Sequence, residues 1–218
     1  MGIIFGLIML VILVFSAILH EVAHGFVADR LGDPTARLSG RLTLNPKKHI
    51  DPFMSIALPL ILILSGSPVI FGAAKPVPVD PFNLKEGRKD IAIVSLVGPL
   101  TNVLIAVFAS LILKGLKLST PVLPGNSDFI FFIIYPILLT ITQINLLLAI
   151  FNLLPIPPLD GSKIFALILP EKEASIFLSL GSIGFFILFF LLMFPIGGFS
   201  LGGLIFNLLS FSEKLLGL

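Results

Sequence analysis

The chain contains no cysteine in its 218 residues. That absence excludes a disulfide framework, a thiolate nucleophile and a cysteine metal ligand, so any bound metal must be held by His, Asp, Glu or Asn. Charge is also scarce: 12% of residues are charged and the formal net charge is +2. Such a small, scattered excess does not suit nucleic acid as a partner. The first 19 residues lack a basic leader and a small-residue cleavage site, so they read as a retained helix rather than a signal peptide. No internal repeat is visible, and no loop is long enough for an additional folded domain. The expectation is a single membrane-embedded unit over residues 1–218, with a core at 1–169 and a C-terminal helix pair at 174–217.

What the chain has in abundance is apolar sequence: 56% of residues are hydrophobic, in several runs near the length that spans a bilayer. The fold class read from this is an all-α polytopic membrane protein, with about five transmembrane helices plus a re-entrant segment flanked by short β-strands. A first helix is predicted over residues 3–30, ended by the turn chemistry of Gly32-Asp33-Pro34. Residues 36–44 alternate polar and apolar at strand period, and residues 74–80 carry Pro76 and Pro78, which confines them to an edge. Between them, residues 53–71 are long enough to cross but are bracketed by basic loops. The positive-inside rule favours a re-entrant dip, with a full span as the alternative. Further spans are predicted at 91–113, 129–151, 174–194 and 198–216. Arg30, Arg37, Arg41, Lys47 and Lys48 place the loop after the first helix in the cytoplasm and the N-terminus outside, in a multi-pass protein of the plasma membrane. Gly181, Gly184, Gly198 and Gly202 read as close helix contacts, and the 21 phenylalanines as packing or lipid-facing residues.

Only three histidines occur, and two of them stand in His20-Glu21-Val22-Ala23-His24 at the end of an unbroken apolar run. Four residues apart on a helix, His20 and His24 project from one face and can grip one ion, with Glu21 beside them as a candidate general base. A solvated polar face is not available inside an apolar helix, where unpartnered polar groups cost several kcal/mol, roughly 2.5–3.5 on insertion scales. A zinc ion needs at least one more protein ligand and an open position. The candidates at depth are Asp160, Asn102, Asn152 and Glu21 itself. Asp160 lies in a stretch broken by Pro155, Pro157 and Pro158. Asp before Gly is ordinary turn chemistry, but beside an unsatisfied histidine pair its carboxylate is the favoured third ligand. The third histidine, His49, reads as a surface residue outside the catalytic set.

Taken together, His20-Glu21-x-x-His24, Gly98-Pro99-x-x-Asn102 and Asn152-x-x-Pro155-x-Pro157-Pro158-Leu159-Asp160-Gly161 resemble the site-2 protease family of intramembrane zinc metalloproteases, over most of the chain up to Gly161. The resemblance implies one Zn2+ per chain held by His20, His24 and Asp160, with Glu21 as the catalytic acid/base and Asn102 and Asn152 on the substrate-binding side. It further implies an endopeptidase acting on peptide bonds in or near transmembrane segments of membrane-protein substrates; the basic loop after the first helix places the nearer mouth of the site in the cytoplasm. The similarity is to the short branch without a PDZ or regulatory module. The 74–80 piece is expected to hold an unwound substrate by backbone pairing, or to be a plain proline-rich connection. A membrane metal-ion transporter and a non-catalytic zinc-containing scaffold are the competing readings. A transporter would string its ligands along a path through both halves of the bilayer, whereas these polar residues gather at one level.

Overall fold

The computed structural model describes residues 3–65, 74–119 and 130–218. The first helix, α1 (Ile3–Leu31), has 29 residues, about 43 Å at 1.5 Å per residue, more than the ~30 Å hydrocarbon thickness. Its buried face includes Ser16, His20, His24 and Ala28, one every four residues, so a stripe of small and polar side chains turns inward while Leu7, Val11 and Phe15 face out. The helix closes in a Schellman arrangement. Gly32 takes a φ of 115°, its N–H reaches Asp29 O at 3.3 Å, and the Asp33 N–H reaches Ala28 O at 2.9 Å.

Asp33 then ties the end of α1 to the later loop. Its carboxylate accepts from the Thr35 N–H and hydroxyl, from the Asp80 N–H at 2.7 Å and from the Asn83 amide at 3.1 Å. Burial opposes its charge, but these hydrogen bonds win and hold Asp33 below the usual carboxylate range.

The two expected strands are absent. Residues 36–44 instead begin in the short helix α2 (Thr35–Leu38), and Gly40 turns the chain at a φ of 62°. Residues 74–80 form no strand, because Pro76 and Pro78 cannot donate to a ladder. The Lys75 and Pro76 carbonyls are taken by the Arg41 guanidinium, at 2.7 and 3.1 Å. A side chain thus does what a neighbouring strand would have done. The only β feature among the described residues is an isolated bridge between Ile196 and Phe199.

The segment expected over 53–71 is described as far as residue 65; its remainder lies outside the described residues. A π-helical turn (Pro52–Ala57) leads into α3 (Leu58–Leu64). The Lys75 N–H bonds His49 O at 2.7 Å, so residues 49 and 75 lie side by side.

The central helix, α4 (Arg88–Ser119), packs against α1 and against α5 (Tyr135–Asn152), which follows a π-helical turn at Ile130–Ile134. Small or polar residues line its buried face: Ala92, Ser95, Gly98, Asn102, Ala106, Ala109 and Ser110. Lipid tails offer no hydrophobic gain for helix contact, so close backbone approach and interhelical hydrogen bonds hold such bundles together.

After a broken stretch at 153–159 comes the short helix α6 (Asp160–Ala166). Arg88, at the start of α4, donates to the Ala166 carbonyl and to Leu169 O at 2.7 Å, binding the end of α6 to α4. The expected span at 174–194 is broken into α7 (Glu171–Ser179) and α8 (Gly181–Met193), bent by 70°. Charged residues keep α7 polar, and Gly184 of α8 sits against the Pro157 carbonyl with no room for a side chain. The last helix, α9 (Leu201–Leu215), is 15 residues long, about 22 Å, which is shorter than a span. It joins Leu154 and Leu188 through Leu201 and Ile205 in a small apolar core. Five spans are therefore not found. Among the described residues three helices (α1, α4 and α5) are long and apolar enough to cross a membrane, or four spans if the bent α7–α8 pair is counted as one.

Candidate metal centre

The stripe on α1 brings His20 and His24 together with their Nε2 atoms 3.0 Å apart. The Asp160 Oδ2 atom, at the first residue of α6, lies 3.1 Å from each. All three side chains are buried. The three expected ligands thus converge from sequence positions up to 140 residues apart.

The protonation of the two rings follows from what surrounds them. His24 Nδ1 lies 2.7 Å from Val94 O, a carbonyl that can only accept, so Nδ1 carries the proton. For His20 the inference passes through two amides. Asn145 Nδ2 donates to the Ile141 carbonyl and to Ser16 Oγ, both at 2.9 Å, which turns Asn145 Oδ1 toward Asn102. Asn102 Nδ2 donates to that oxygen at 2.9 Å, which leaves Asn102 Oδ1 facing His20 Nδ1 at 2.6 Å. His20 Nδ1 therefore also carries its proton. Both Nε2 lone pairs then point at each other and at a carboxylate oxygen.

With both rings neutral, three electron-rich donors face one another, and a divalent cation would remove their repulsion. The donor set fits zinc. Ligands about 2.0–2.1 Å from a tetrahedral ion stand about 3.3 Å apart, close to the separations found here. Orienting each imidazole through its far nitrogen is also how metal sites fix ring and tautomer.

Gly98 lets α4 approach this cluster. A Cβ there would overlap His24 Nε2 and would come within 2.6 Å of His20 Cε1. The following Pro99 is inside the helix, where it has no N–H for the Ser95 carbonyl, next to the Val94 carbonyl that receives His24. On the other side, Gly161 lies against the Leu153 and Leu154 carbonyls, which holds the Asp160 turn onto the broken stretch. Lys163 reaches the second carboxylate oxygen of Asp160 at 3.3 Å.

The remaining candidates fall as follows. Glu21 is half-buried beside the ligands, and its Oε2 accepts the Val77 N–H at 2.7 Å. Asn102 is 0% exposed with both amide atoms engaged, one of them on His20. Asn152, half-buried at the end of α5, donates to Leu148 O one turn back at 3.0 Å. His49 is not a surface residue: it is 1% exposed and holds Thr43 O through Nε2 at 2.8 Å. Ser16, Asn145 and Lys163 were not anticipated. Ser16 stands one turn before His20 on the same face, and Asn145 is a polar residue inside an apolar helix, so both carried a signal.

Replacing Asn145 by Leu is expected to weaken zinc binding by about 10–100-fold, the usual worth of an outer hydrogen-bond partner. Intramembrane hydrogen bonds average only about 0.6 kcal/mol, so stability should change little. The loss comes from Asn102, which is then free to turn its NH2 toward His20 and favour the wrong tautomer. Chelator competition measures the affinity. Wild-type affinity in the variant would refute the orienting role.

The profile of peptidase family M50 matches residues 114–195, which take in the Asp160 segment. The chain is 35% identical over 198 residues to "Putative zinc metalloprotease YwhC" of Bacillus subtilis, covering 88% of this chain and 83% of that protein. It is 34% identical over 146 residues to "Putative zinc metalloprotease Rip2" of Mycobacterium tuberculosis, covering 67% of this chain and 51% of the relative. Against "Zinc metalloprotease MJ0392" of Methanocaldococcus jannaschii it is 25% identical over 169 residues, 78% of this chain and 36% of the relative. No solved structure matches the chain. With a relative of this identity aligned over most of both sequences, the chain belongs to peptidase family M50, the site-2 protease family of zinc metalloproteases.

Proposed function

We propose that this protein is an intramembrane endopeptidase that hydrolyses peptide bonds in or near transmembrane segments of other membrane proteins, with zinc held by His20, His24 and Asp160. The observation that carries the reading is the convergence of these three donors at 3.0–3.1 Å within a bundle of membrane-length helices, with Glu21 alongside. Zinc held there would supply Lewis acidity for the scissile carbonyl and would acidify the attacking water. The protein's own groups do the rest. Glu21 takes the proton of the attacking water and passes it to the leaving amine. Its Oε2 is occupied by the Val77 N–H, which leaves Oε1 for that transfer. Asn102, enclosed and fully bonded, holds His20 in place. Asn152 stands at the mouth of the broken stretch 153–159, where it can meet an unwound substrate backbone.

The basic residues support a site nearer the cytoplasmic face of the plasma membrane. Of 14 Lys and Arg, 11 lie in or beside the connections that flank the metal centre, whereas Lys114 and Lys117 lie toward the far end of α4.

The test is Glu21→Gln in proteoliposomes with a labelled transmembrane peptide. Zinc content should stay at the wild-type level while cleavage falls by about 10²–10⁴-fold, the range for a lost general base. Undiminished cleavage by the variant would overturn the assignment.

A further inference from the structure

We propose that Pro76-Val77-Pro78 is a positioning strap that sets the Glu21 carboxylate at the metal centre through the Val77 N–H. The proposal rests on Glu21 being the proton carrier. Proline has no N–H, so of residues 76–78 only Val77 can donate, and that donor goes to Glu21 Oε2 at 2.7 Å. A slip of one residue in either direction would offer Glu21 a nitrogen without hydrogen. The spacing therefore admits one register.

The strap is anchored around that bond. The Lys75 N–H holds His49 O, the Arg41 guanidinium holds the Lys75 and Pro76 carbonyls, and the Asp80 N–H holds Asp33. The Val77 side chain is buried against α1 at Gly25, one turn beyond Glu21. A Cβ at Gly25 would come within 2.7 Å of Val77 Cγ1, so glycine is what allows the strap to lie this close.

These contacts also argue against the strap as a pairing edge for substrate. Neither proline offers a donor, the N–H groups of Lys75 and Val77 are both engaged, and two of the carbonyls are taken by Arg41. What remains is a fixed donor aimed at a flexible side chain. A glutamate held by a charge-assisted hydrogen bond keeps one of its many conformations, and proton transfer depends on such placement.

The experiment replaces the residue 77 amide by an ester, with 2-hydroxyisovalerate in place of valine, which removes the N–H and leaves the side chain. Val77→Pro removes the same donor genetically, and Val77→Ala keeps the donor but trims the packing. The ester and proline forms should lower kcat by about 10–100-fold, with KM and zinc content as in wild type, since misplacing a reacting group by about 1 Å costs up to about 10²-fold. The alanine form should recover most of that kcat. In a Glu21→Gln background the ester should cause no further loss. Equal kcat for the ester and wild type, or the same fold-loss from the ester with and without Glu21, would overturn the strap. Full activity of Glu21→Gln alone would instead overturn the role of Glu21 on which the strap depends.

Discussion

Replacing Asp160 by alanine is expected to strip the protein of zinc and to leave no measurable peptide cleavage, while the helical bundle stays assembled. Two imidazoles alone make a poor zinc site, and the loss must exceed the roughly 10–100-fold that follows from removing an outer partner such as Asn145. The bundle should survive because Asp160 contributes little else. Its Oδ1 meets only the half-exposed Lys163, and such a pair is worth about 0–1 kcal/mol. Zinc content by mass spectrometry and helix content by circular dichroism in detergent separate the two effects. If the Asp160→Ala protein retains one zinc at wild-type affinity, the ligand set is wrong.

The residues of the candidate metal cluster were legible in the sequence because the membrane removes alternatives. His20 and His24 share a helix face inside an apolar run, where solvent cannot satisfy them, and Asp160 is a carboxylate in a proline-broken apolar stretch. The partners behind them were harder to read. An asparagine amide both donates and accepts, so the sequence alone could not tell that Asn102 Oδ1 faces His20, an orientation set by the Ile141 carbonyl through Asn145. Local periodicity misled at residues 36–44, where polar–apolar alternation belongs to a helical turn and a glycine turn at the edge of the bundle. No strand could form beside a segment whose donors are removed by proline. Hydrophobicity alone likewise could not distinguish one span at 174–194 from two helices bent by 70°, nor foresee the contact of Gly184 with the Pro157 carbonyl across the sequence. His49 looked exposed in a lysine-rich loop, yet it lies beneath the returning chain at Lys75, a contact across a long sequence separation.

α4 is the element on which these parts depend together. Its start caps α6 through Arg88, its middle supplies Val94 O and Asn102 to the two histidines, and Gly98 permits the approach. Gly98→Ala is accordingly the substitution expected to do the most structural damage for the least added volume. The new methyl overlaps both imidazole rings, and neither ring can give way while its Nδ1 is bonded, His20 to Asn102 and His24 to Val94 O. Either α4 moves outward or those bonds break. Overpacking costs about 1–3 kcal/mol. Each of those hydrogen bonds, if lost, costs about 0.6 kcal/mol more on average within a membrane bundle, so the total is about 2–4 kcal/mol, a large part of a typical protein's stability. Zinc content and the thermal midpoint in detergent should therefore fall together, unlike in Asp160→Ala, where only the zinc is lost. Gly115→Ala on the same helix is the control, because nothing lies within 4 Å of a methyl placed there. If Gly98→Ala and Gly115→Ala both keep zinc and melt like the wild type, then α4 does not press on the histidine pair, and the site has another architecture.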